Sequence, residues 1–353
     1  MLRLMGLPLS LTLKCCILCF LLVYEVASAV ENENQKVVVC PFRSIYQFGA
    51  SLSDTGNLIR VGDIGPTLPA ARLPYGITFP GRPTGRWSDG RLTIDFIAGA
   101  VGLPLLNPYL DKNASFTNGV NFAVAGSTAL DIGFLAQKGV VIPNITVPLG
   151  AQINWLKTYL SSSICSHPSD CKDRLKGSLF FVGEIGRNDI SFALVQGKTI
   201  QQVAAYVPDI TTSVINAVRE VIQVGGRRIV VPATFPSGCF PNLLSRFGAK
   251  NREDYDELGC LRSINNLIAF KNNHLQQALG SLRKEFPDAV ILYADYYAAF
   301  QSFLARAPLL GFDPNRLFMT CCGTGGGQYN YDRNKECGAT GVISCPNPHQ
   351  YIH

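Results

Sequence analysis

Short apolar runs recur along the chain, each bounded by glycine, proline or aspartate. They cover residues 44–48, 179–182, 228–231 and 289–293. Runs of this length and composition are typical of strands that are buried on both faces of a parallel sheet. The pattern therefore predicts buried strands at these four places.

Longer stretches between the runs carry apolar residues at helical spacing. They predict helices over residues 92–101, 149–160, 203–224 and 260–286. The alternation of strands and helices predicts an α/β fold, a three-layer α/β/α sandwich with a parallel sheet. In such a fold the crossovers are right-handed, and the chemistry lies at the carboxyl ends of the strands.

The sequence has no internal repeat, low-complexity tract or flexible linker, so we expect residues 30–353 to form a single domain. Residues 62–90 are rich in glycine and proline, which predicts a long surface excursion that frames a binding cleft. The 353 residues are 47% hydrophobic and 16% charged. This composition supplies a large core and differs from that of a disordered protein.

The first 29 residues have the pattern of a secretory signal peptide. Arg3 supplies a positive charge, residues 15–24 form an apolar run, and Ala27-Ser28-Ala29 is a small-residue cleavage site. A membrane anchor is the alternative, but the run is short for a transmembrane helix. We therefore expect a secreted, extracellular protein without a stable membrane anchor.

The net charge of +6 comes from scattered basic residues. No basic stripe suited to nucleic acid occurs in the sequence, so we expect no nucleic-acid partner. The charge bears on solubility rather than on function. We expect a monomer.

Cysteine usage agrees with an oxidising compartment, where disulfides form. Nine cysteines follow the signal segment, which predicts disulfides and one odd thiol. Cys165 with Cys171 is the first expected pair, and Cys239 with Cys260 is the second. Zinc is the alternative, but the C-terminal cysteines lack C-x-x-C spacing, so we expect no metal and no cofactor.

Two sequons, Asn113-Ala-Ser115 and Asn144-Ile-Thr146, are acceptors for N-glycosylation. They predict glycans at Asn113 and Asn144.

Ser51 carries the sharpest local signal for chemistry. It follows a predicted strand that ends at Gly49, and polar and glycine residues then turn the chain. A serine there lies at the carboxyl edge of the sheet, where ligands bind. The surrounding sequence is not Gly-x-Ser-x-Gly, which disfavours the nucleophile elbow of α/β-hydrolases.

The stretch around Ser51 resembles the first conserved block of the GDSL (SGNH) esterase/lipase family, in its plant secreted branch. Further blocks of that family follow in the same order and cover nearly the whole mature chain. They are Gly119-Val120-Asn121-Phe122-Ala123, Gly186-Arg187-Asn188-Asp189, Cys321-Cys322-Gly323 and the region from Cys337-Gly338 to Asn347-Pro348. The resemblance implies a secreted hydrolase that acts on small-molecule carboxylic esters of lipids, acetyl groups or specialised metabolites.

The resemblance also implies the roles of three residues. Ser51 is the nucleophile, and the backbone N–H of Ser51, the backbone N–H of Gly119 and the amide of Asn188 are oxyanion donors. Such donors stabilise the charge that develops on the ester carbonyl. Separately, the three residues also suit a helix cap, a turn and an Asx turn.

Two departures from the family pattern affect activity. Ala50 stands where the family has aspartate, and we expect this change to impair catalysis without abolishing it. The family's Asp-x-x-His element, which supplies the base, does not occur before the sequence ends at His353. By the resemblance we expect the domain of residues 30–353 to be incomplete at its C-terminus, truncated before this element. His167 and His274 are expected at the surface, and the spacing of His349 and His353 does not match. Loss of the base typically costs about 10⁴-fold in rate.

Two alternatives to hydrolysis remain at the level of the sequence. One is a catalytically impaired pseudo-esterase that binds a small ester or a cell-wall partner. The other is an acyltransferase that uses the same serine and oxyanion donors but passes the acyl group to an alcohol.

Overall fold

A computed structural model describes residues 42–165, 167–248 and 251–353. The predicted signal peptide, residues 1–29, and Cys40 lie outside the described residues. Among the described helices, none is long and apolar enough to cross a bilayer.

A five-stranded, all-parallel sheet forms the centre of the structure, with strand order β2-β1-β3-β4-β5. The strands are β1 (Ser44–Phe48), β2 (Gly119–Asn121), β3 (Ser178–Val182), β4 (Arg228–Pro232) and β5 (Val290–Ala294). The four predicted strands are confirmed to within one or two residues. β2 was not predicted, because three residues are too few to give a periodic signal.

Alternate side chains of each strand enter two different apolar clusters, as the period of two in a strand requires. Tyr46, Phe48 and Phe180 belong to the larger cluster, which also contains residues of α3, α7 and α9 (bounds below). Ile45 and Phe181 belong to the cluster on the other face, which contains residues of α1. The sheet is therefore covered on both faces, and the predicted three-layer α/β/α sandwich is confirmed.

The helices of the described residues connect the strands and cover the sheet. They are α1 (Thr93–Ala100), α2 (Ile132–Gln137), α3 (Leu149–Tyr159), α4 (Pro168–Leu175), α5 (Arg187–Val195), α6 (Ile200–Ala204), α7 (Val207–Gln223), α8 (Pro241–Phe247), α9 (Arg262–Glu285) and α10 (Tyr296–Arg306). The predicted helix over 203–224 is in fact two helices, α6 and α7, because Pro208 begins a new first turn. The predicted helices at 92–101, 149–160 and 260–286 correspond to α1, α3 and α9.

The surface excursion over residues 62–90 contains short 3₁₀ turns, at Gly65–Thr67 and Pro69–Ala71, and otherwise irregular chain. Its end is fixed to α1 by a bidentate ion pair, in which Arg86 Nε and Nη2 each donate to an Asp95 carboxylate oxygen at 2.9 Å. Asp95 Oδ2 also accepts the Leu92 N–H at 2.9 Å and so caps α1. The excursion is thus anchored to the scaffold at its carboxyl end.

Four disulfides join the described cysteines. The two predicted pairs, Cys165–Cys171 and Cys239–Cys260, are confirmed. The other two pairs are Cys321–Cys345 and Cys322–Cys337, which fasten the C-terminal segment to itself.

Candidate active site

The strand order places a topological switch point between β1 and β3. The chain leaves β1 for β2 on one side, whereas β3, β4 and β5 extend the sheet on the other side. In open parallel sheets the crevice at the carboxyl ends of two such strands is where ligands bind. Ser51 follows β1, and Arg187 and Asn188 begin the helix after β3, so these three residues meet at this crevice.

Ser51 lies in a tight turn that the surrounding polar residues hold in place. The Ser53 N–H donates to the Ala50 carbonyl at 3.0 Å, and the Asn121 amide donates to the Ser53 carbonyl at 2.6 Å. The Ala50 side chain is buried in the larger apolar cluster, and the main-chain bond of the turn does not involve that side chain. The turn is therefore closed without the aspartate that the family pattern has at position 50.

The buried carboxylate of Asp54 fixes the chain that follows Ser51. It accepts the N–H groups of Gly56, Asn57 and Leu58 at 2.6–3.1 Å, and that of Ala125 at 2.8 Å. Burial raises the pKa of Asp54, and these four donors oppose the rise. The bond to Ala125 ties the nucleophile turn to the segment that follows β2.

Gln152, a buried residue of α3, clamps the same two segments from the other side. Its Oε1 accepts the Gly49 N–H, and its Nε2 donates to the Gly49 carbonyl and to Ser127 Oγ, each at 2.9 Å. A buried amide with partners on both ends is rigidly oriented, because leaving one end unpaired costs about 1–3 kcal/mol. The Ser51 turn and the turn at residues 124–127 are thus held as one unit.

The first turn of α5 brings Asn188 to this unit. Asn188 Nδ2 donates to the Ser127 carbonyl at 2.8 Å, and the next residue, Asp189, accepts the N–H groups of Ala129 and Leu130 at 2.9 Å. Burial raises the pKa of Asp189 to about 6, and the two backbone donors oppose that rise. An amide nitrogen carries two hydrogens, so Asn188 keeps a second donor for a ligand.

Gly119 does not join the other predicted site residues. It begins β2 and pairs with Ile45, near the amino-terminal end of β1 and three residues before the end of that strand. Three residues of strand span about 10 Å, so the Gly119 N–H lies toward the opposite edge of the sheet from Ser51. A Cβ at Gly119 would lie 1.8 Å from the Ile45 carbonyl oxygen. The assignment of Gly119 as an oxyanion donor is therefore corrected: this glycine permits close strand pairing.

Gly126 is the glycine that the strand order brings to the site. It lies in the turn after β2, between Ala125 and Ser127. Ala125 donates its N–H to Asp54, and Ser127 is hydrogen-bonded to Asn188 and Gln152. Its φ is +81°, and a Cβ built there would meet no atom within 4 Å, so it faces open space. Among the described residues no atom accepts a hydrogen bond from the N–H of Ser51 or of Gly126. The sequence did not indicate Gly126, because the three-residue strand that precedes it gives no periodic signal.

Arg187 is a further site residue that the sequence did not signal. Its Nη2 lies 3.5 Å from Ser51 Oγ, and its Nε lies 3.9 Å from Glu184 Oε2.

Glu184 belongs to a buried polar cluster with Thr234 and Lys271. Burial lowers the pKa of Lys271 to about 8, against the opposing effect of the Glu184 and Asp189 charges.

Among the described residues, no histidine makes a hydrogen bond to Ser51. His167 is exposed, as predicted, whereas His274 is half-buried and contacts the Phe270 ring at 4.6 Å. His353 contacts the Phe240 ring at 5.4 Å, and its Nε2 is buried and has no partner among the described residues. Burial lowers the pKa of His353 to about 4, so the imidazole is neutral at pH 7.

A serine in a rigid turn, beside an uncharged amide and two unpaired backbone N–H groups, has the chemistry of an acyl-transferring hydrolase. Comparison with known proteins agrees with that class. The family model for the GDSL-like Lipase/Acylhydrolase matches residues 45–334. The chain belongs to this family, which has the SGNH hydrolase fold, and it is an enzyme of the GDSL esterase/lipase type.

Several similar plant proteins are named as esterases. Acetylajmalan esterase 2 of Rauvolfia serpentina is 56% identical over 320 residues, which cover 90% of this chain and 86% of the relative. Acetylajmalan esterase of the same plant is 55% identical, with 89% of this chain and 81% of the relative covered. Sinapine esterase of Brassica napus is 41% identical, with 88% and 80% covered. These relatives support ester hydrolysis, with small-molecule esters as substrates.

Proposed function

We propose that this protein is a secreted carboxylic-ester hydrolase in which Ser51 is the nucleophile. The observation that carries the proposal is the convergence of Ser51, Gly126 and Asn188 at the switch point between β1 and β3, with donors left unpaired. Ser51 Oγ attacks the ester carbonyl carbon, and the new C–O bond places a negative charge on the carbonyl oxygen. The oxyanion donors are the N–H groups of Ser51 and Gly126 and the amide of Asn188.

The tetrahedral intermediate then collapses, and the bond between the carbonyl carbon and the alcohol oxygen breaks. The proton of the serine hydroxyl passes to solvent water, and the leaving alcohol takes up a proton from solvent water in turn. Water adds to the acyl-enzyme, which releases the carboxylic acid and restores the Ser51 hydroxyl. Atoms and charge balance over the acylation and the deacylation of Ser51 without a cofactor.

Acetyl esters of plant specialised metabolites are the substrates we propose first. The basis is the identity of 55–56% to two proteins that are named for acetylajmalan. The signal-peptide pattern in residues 1–29 supports secretion. Asn113 and Asn144 are both exposed, as glycan acceptors must be, and we propose that both carry glycans in the secretory pathway.

Hydrolysis of p-nitrophenyl acetate by the purified protein tests the proposal. Ser51→Ala is expected to lower kcat/KM about tenfold or more, because the acyl-enzyme can no longer form while binding is kept. Ser245→Ala, at an exposed serine of α8, is the matched control and is expected to keep wild-type kcat/KM. Equal activity in the Ser51→Ala variant, with its fold intact by circular dichroism, would exclude Ser51 as the nucleophile.

A further inference from the structure

Arg187 places a cation against the nucleophile. It is the first residue of α5, its side chain is 16% exposed, and its Nη2 lies 3.5 Å from Ser51 Oγ. The ring of Phe240 lies 5.0 Å from the guanidinium carbon and supports the group from the other side. The position of the charge is therefore set by packing as well as by the polar contact.

Most of the hydrogen-bonding capacity of this guanidinium is unused. Arginine has five N–H donors, and Nε of Arg187 is buried without a hydrogen-bond partner among the described residues. Oε2 of Glu184 is likewise buried and unpaired, and the 3.9 Å between the two atoms is longer than a hydrogen bond. The Arg187 guanidinium thus faces Ser51 Oγ and keeps an N–H donor, at Nε, that has no hydrogen-bond partner among the described residues.

The carboxylate of Glu184, next to Arg187, is hydrogen-bonded to a residue of another segment. Glu184 Oε1 accepts the Thr234 hydroxyl at 2.9 Å, and Thr234 Oγ1 accepts the Lys271 ammonium at 2.6 Å. Lys271 also donates to the Ile185 carbonyl at 3.0 Å, which fixes it in the core. Glu184 thus accepts its hydrogen bond from Thr234 rather than from Arg187, and Nη2 of Arg187 lies at Ser51 Oγ in the crevice.

We propose that Arg187 is a catalytic residue that stabilises negative charge on Ser51 Oγ as the serine attacks the ester. This inference rests on the proposed function, in which Ser51 is the nucleophile. A guanidinium stays protonated throughout the working pH range, so it cannot accept the serine proton and acts by its charge and its N–H donors. A charge at this distance in a half-buried site acts far more strongly than in water.

The rate at which phenylmethanesulfonyl fluoride modifies Ser51 tests the proposal without requiring a matched ester. In this reaction Ser51 Oγ forms a bond to sulfur, fluoride leaves, and the hydroxyl proton goes to solvent. The modified peptide is quantified by mass spectrometry between pH 6 and 9. Arg187→Gln is expected to react about tenfold to a hundredfold more slowly and to reach its plateau at higher pH.

Further variants separate charge from structure. Arg187→Lys is expected to recover part of the rate, because it keeps the charge without the planar fork. Arg187→Met keeps the contact with Phe240 and supplies a second neutral variant if Arg187→Gln does not fold. Arg219→Gln, which removes an arginine from an exposed ion pair with Glu285, is the matched control and is expected to react at the wild-type rate.

Wild-type rate and pH dependence in a folded neutral variant would overturn the role of Arg187 and leave the proposed function standing. Failure of the wild-type protein to be modified at Ser51 would instead overturn both.

Discussion

At the scale of single residues, backbone geometry distinguishes the glycine that begins β2, Gly119, from the glycine in the turn after β2, Gly126. Gly119 has φ +114° and pairs with β1, where the Ile45 backbone occupies the space that a Cβ would need. Gly126 has φ +81° but faces open space in the crevice of Ser51. Gly119 therefore permits the close pairing of β2 with β1, whereas Gly126 lines the crevice beside Ser51.

Alanine at each position is expected to fail in a different way. Gly119→Ala should prevent stable folding, because the methyl group would overlap the Ile45 backbone. Gly126→Ala should fold with a loss of about 1 kcal/mol for the positive φ, and its kcat/KM should fall about tenfold, because the methyl group enters the crevice. Urea unfolding and p-nitrophenyl acetate hydrolysis measure the two effects. Normal stability in Gly119→Ala, or normal activity in Gly126→Ala, would contradict these assignments.

The sequence pointed to Ser51 and Asn188 as candidate site residues but not to Gly126 or Arg187. Ser51 follows a clear strand signal, so its place at the sheet edge is a local property of the chain. The choice between Gly119 and Gly126 depends on where β2 begins, and a strand of three residues gives no such signal. The proximity of Arg187 to Ser51 depends on how α5 leaves β3, which only the assembled sheet determines.

At the scale of elements, one ion pair joins the irregular excursion to a helix. Arg86, near the end of the excursion, and Asp95, in the first turn of α1, have side chains that are 8% and 0% exposed. Buried pairs of this kind add little over an apolar pair, but removal of one partner leaves an uncompensated buried charge. The excursion and α1 are therefore expected to lose stability together.

Asp95→Ala is expected to lower the free energy of unfolding by about 3–5 kcal/mol, because it strands the Arg86 charge and uncaps α1. Asp63→Ala removes an exposed carboxylate from the same excursion and is expected to change stability by less than about 0.5 kcal/mol. Urea denaturation followed by circular dichroism measures both. A loss below about 1 kcal/mol in Asp95→Ala would show that the pair does not anchor the excursion.

Element boundaries could be predicted where a clear apolar pattern ends at a polar residue or a glycine. The strand at 44–48 and the helix at 149–160 needed little correction. The helix predicted over 203–224 was wrong in its first part, because apolar spacing continues through Tyr206 while Pro208 lacks the N–H that a continuous helix requires. Proline outweighed hydrophobic periodicity at that point.

At the scale of the whole molecule, buried titratable groups shape the dependence of stability on pH. Burial lowers the pKa of Lys271 from 10.5 to about 8 and raises the pKa of Tyr46 and Tyr75 from 10.0 to about 12. Between pH 8 and 10.5 the unfolded chain binds a proton at Lys271 that the folded chain has released, so stability rises with pH. Above pH 10 the folded tyrosines keep protons that the unfolded chain loses, so stability falls.

The free energy of unfolding is therefore expected to rise between pH 8 and 10, by up to about 3 kcal/mol from Lys271, and to decline above pH 10. Lys271→Met should abolish the rise, whatever its stability at neutral pH. Lys284→Met, at an exposed lysine of the same helix, is the control and should keep it. Urea titrations at several pH values give the slopes, and an undiminished rise in Lys271→Met would assign it to other groups.

The identity of the nucleophile is tested most directly by trapping the acyl-enzyme. The protein is mixed with p-nitrophenyl acetate and quenched in acid within the first turnover, and its peptides are analysed by mass spectrometry. One acetyl group is expected on the Ser51 side chain, present in Ser245→Ala and missing in Ser51→Ala. Acetylation of another residue, or undiminished turnover in Ser51→Ala, would contradict the assignment of Ser51 as the nucleophile.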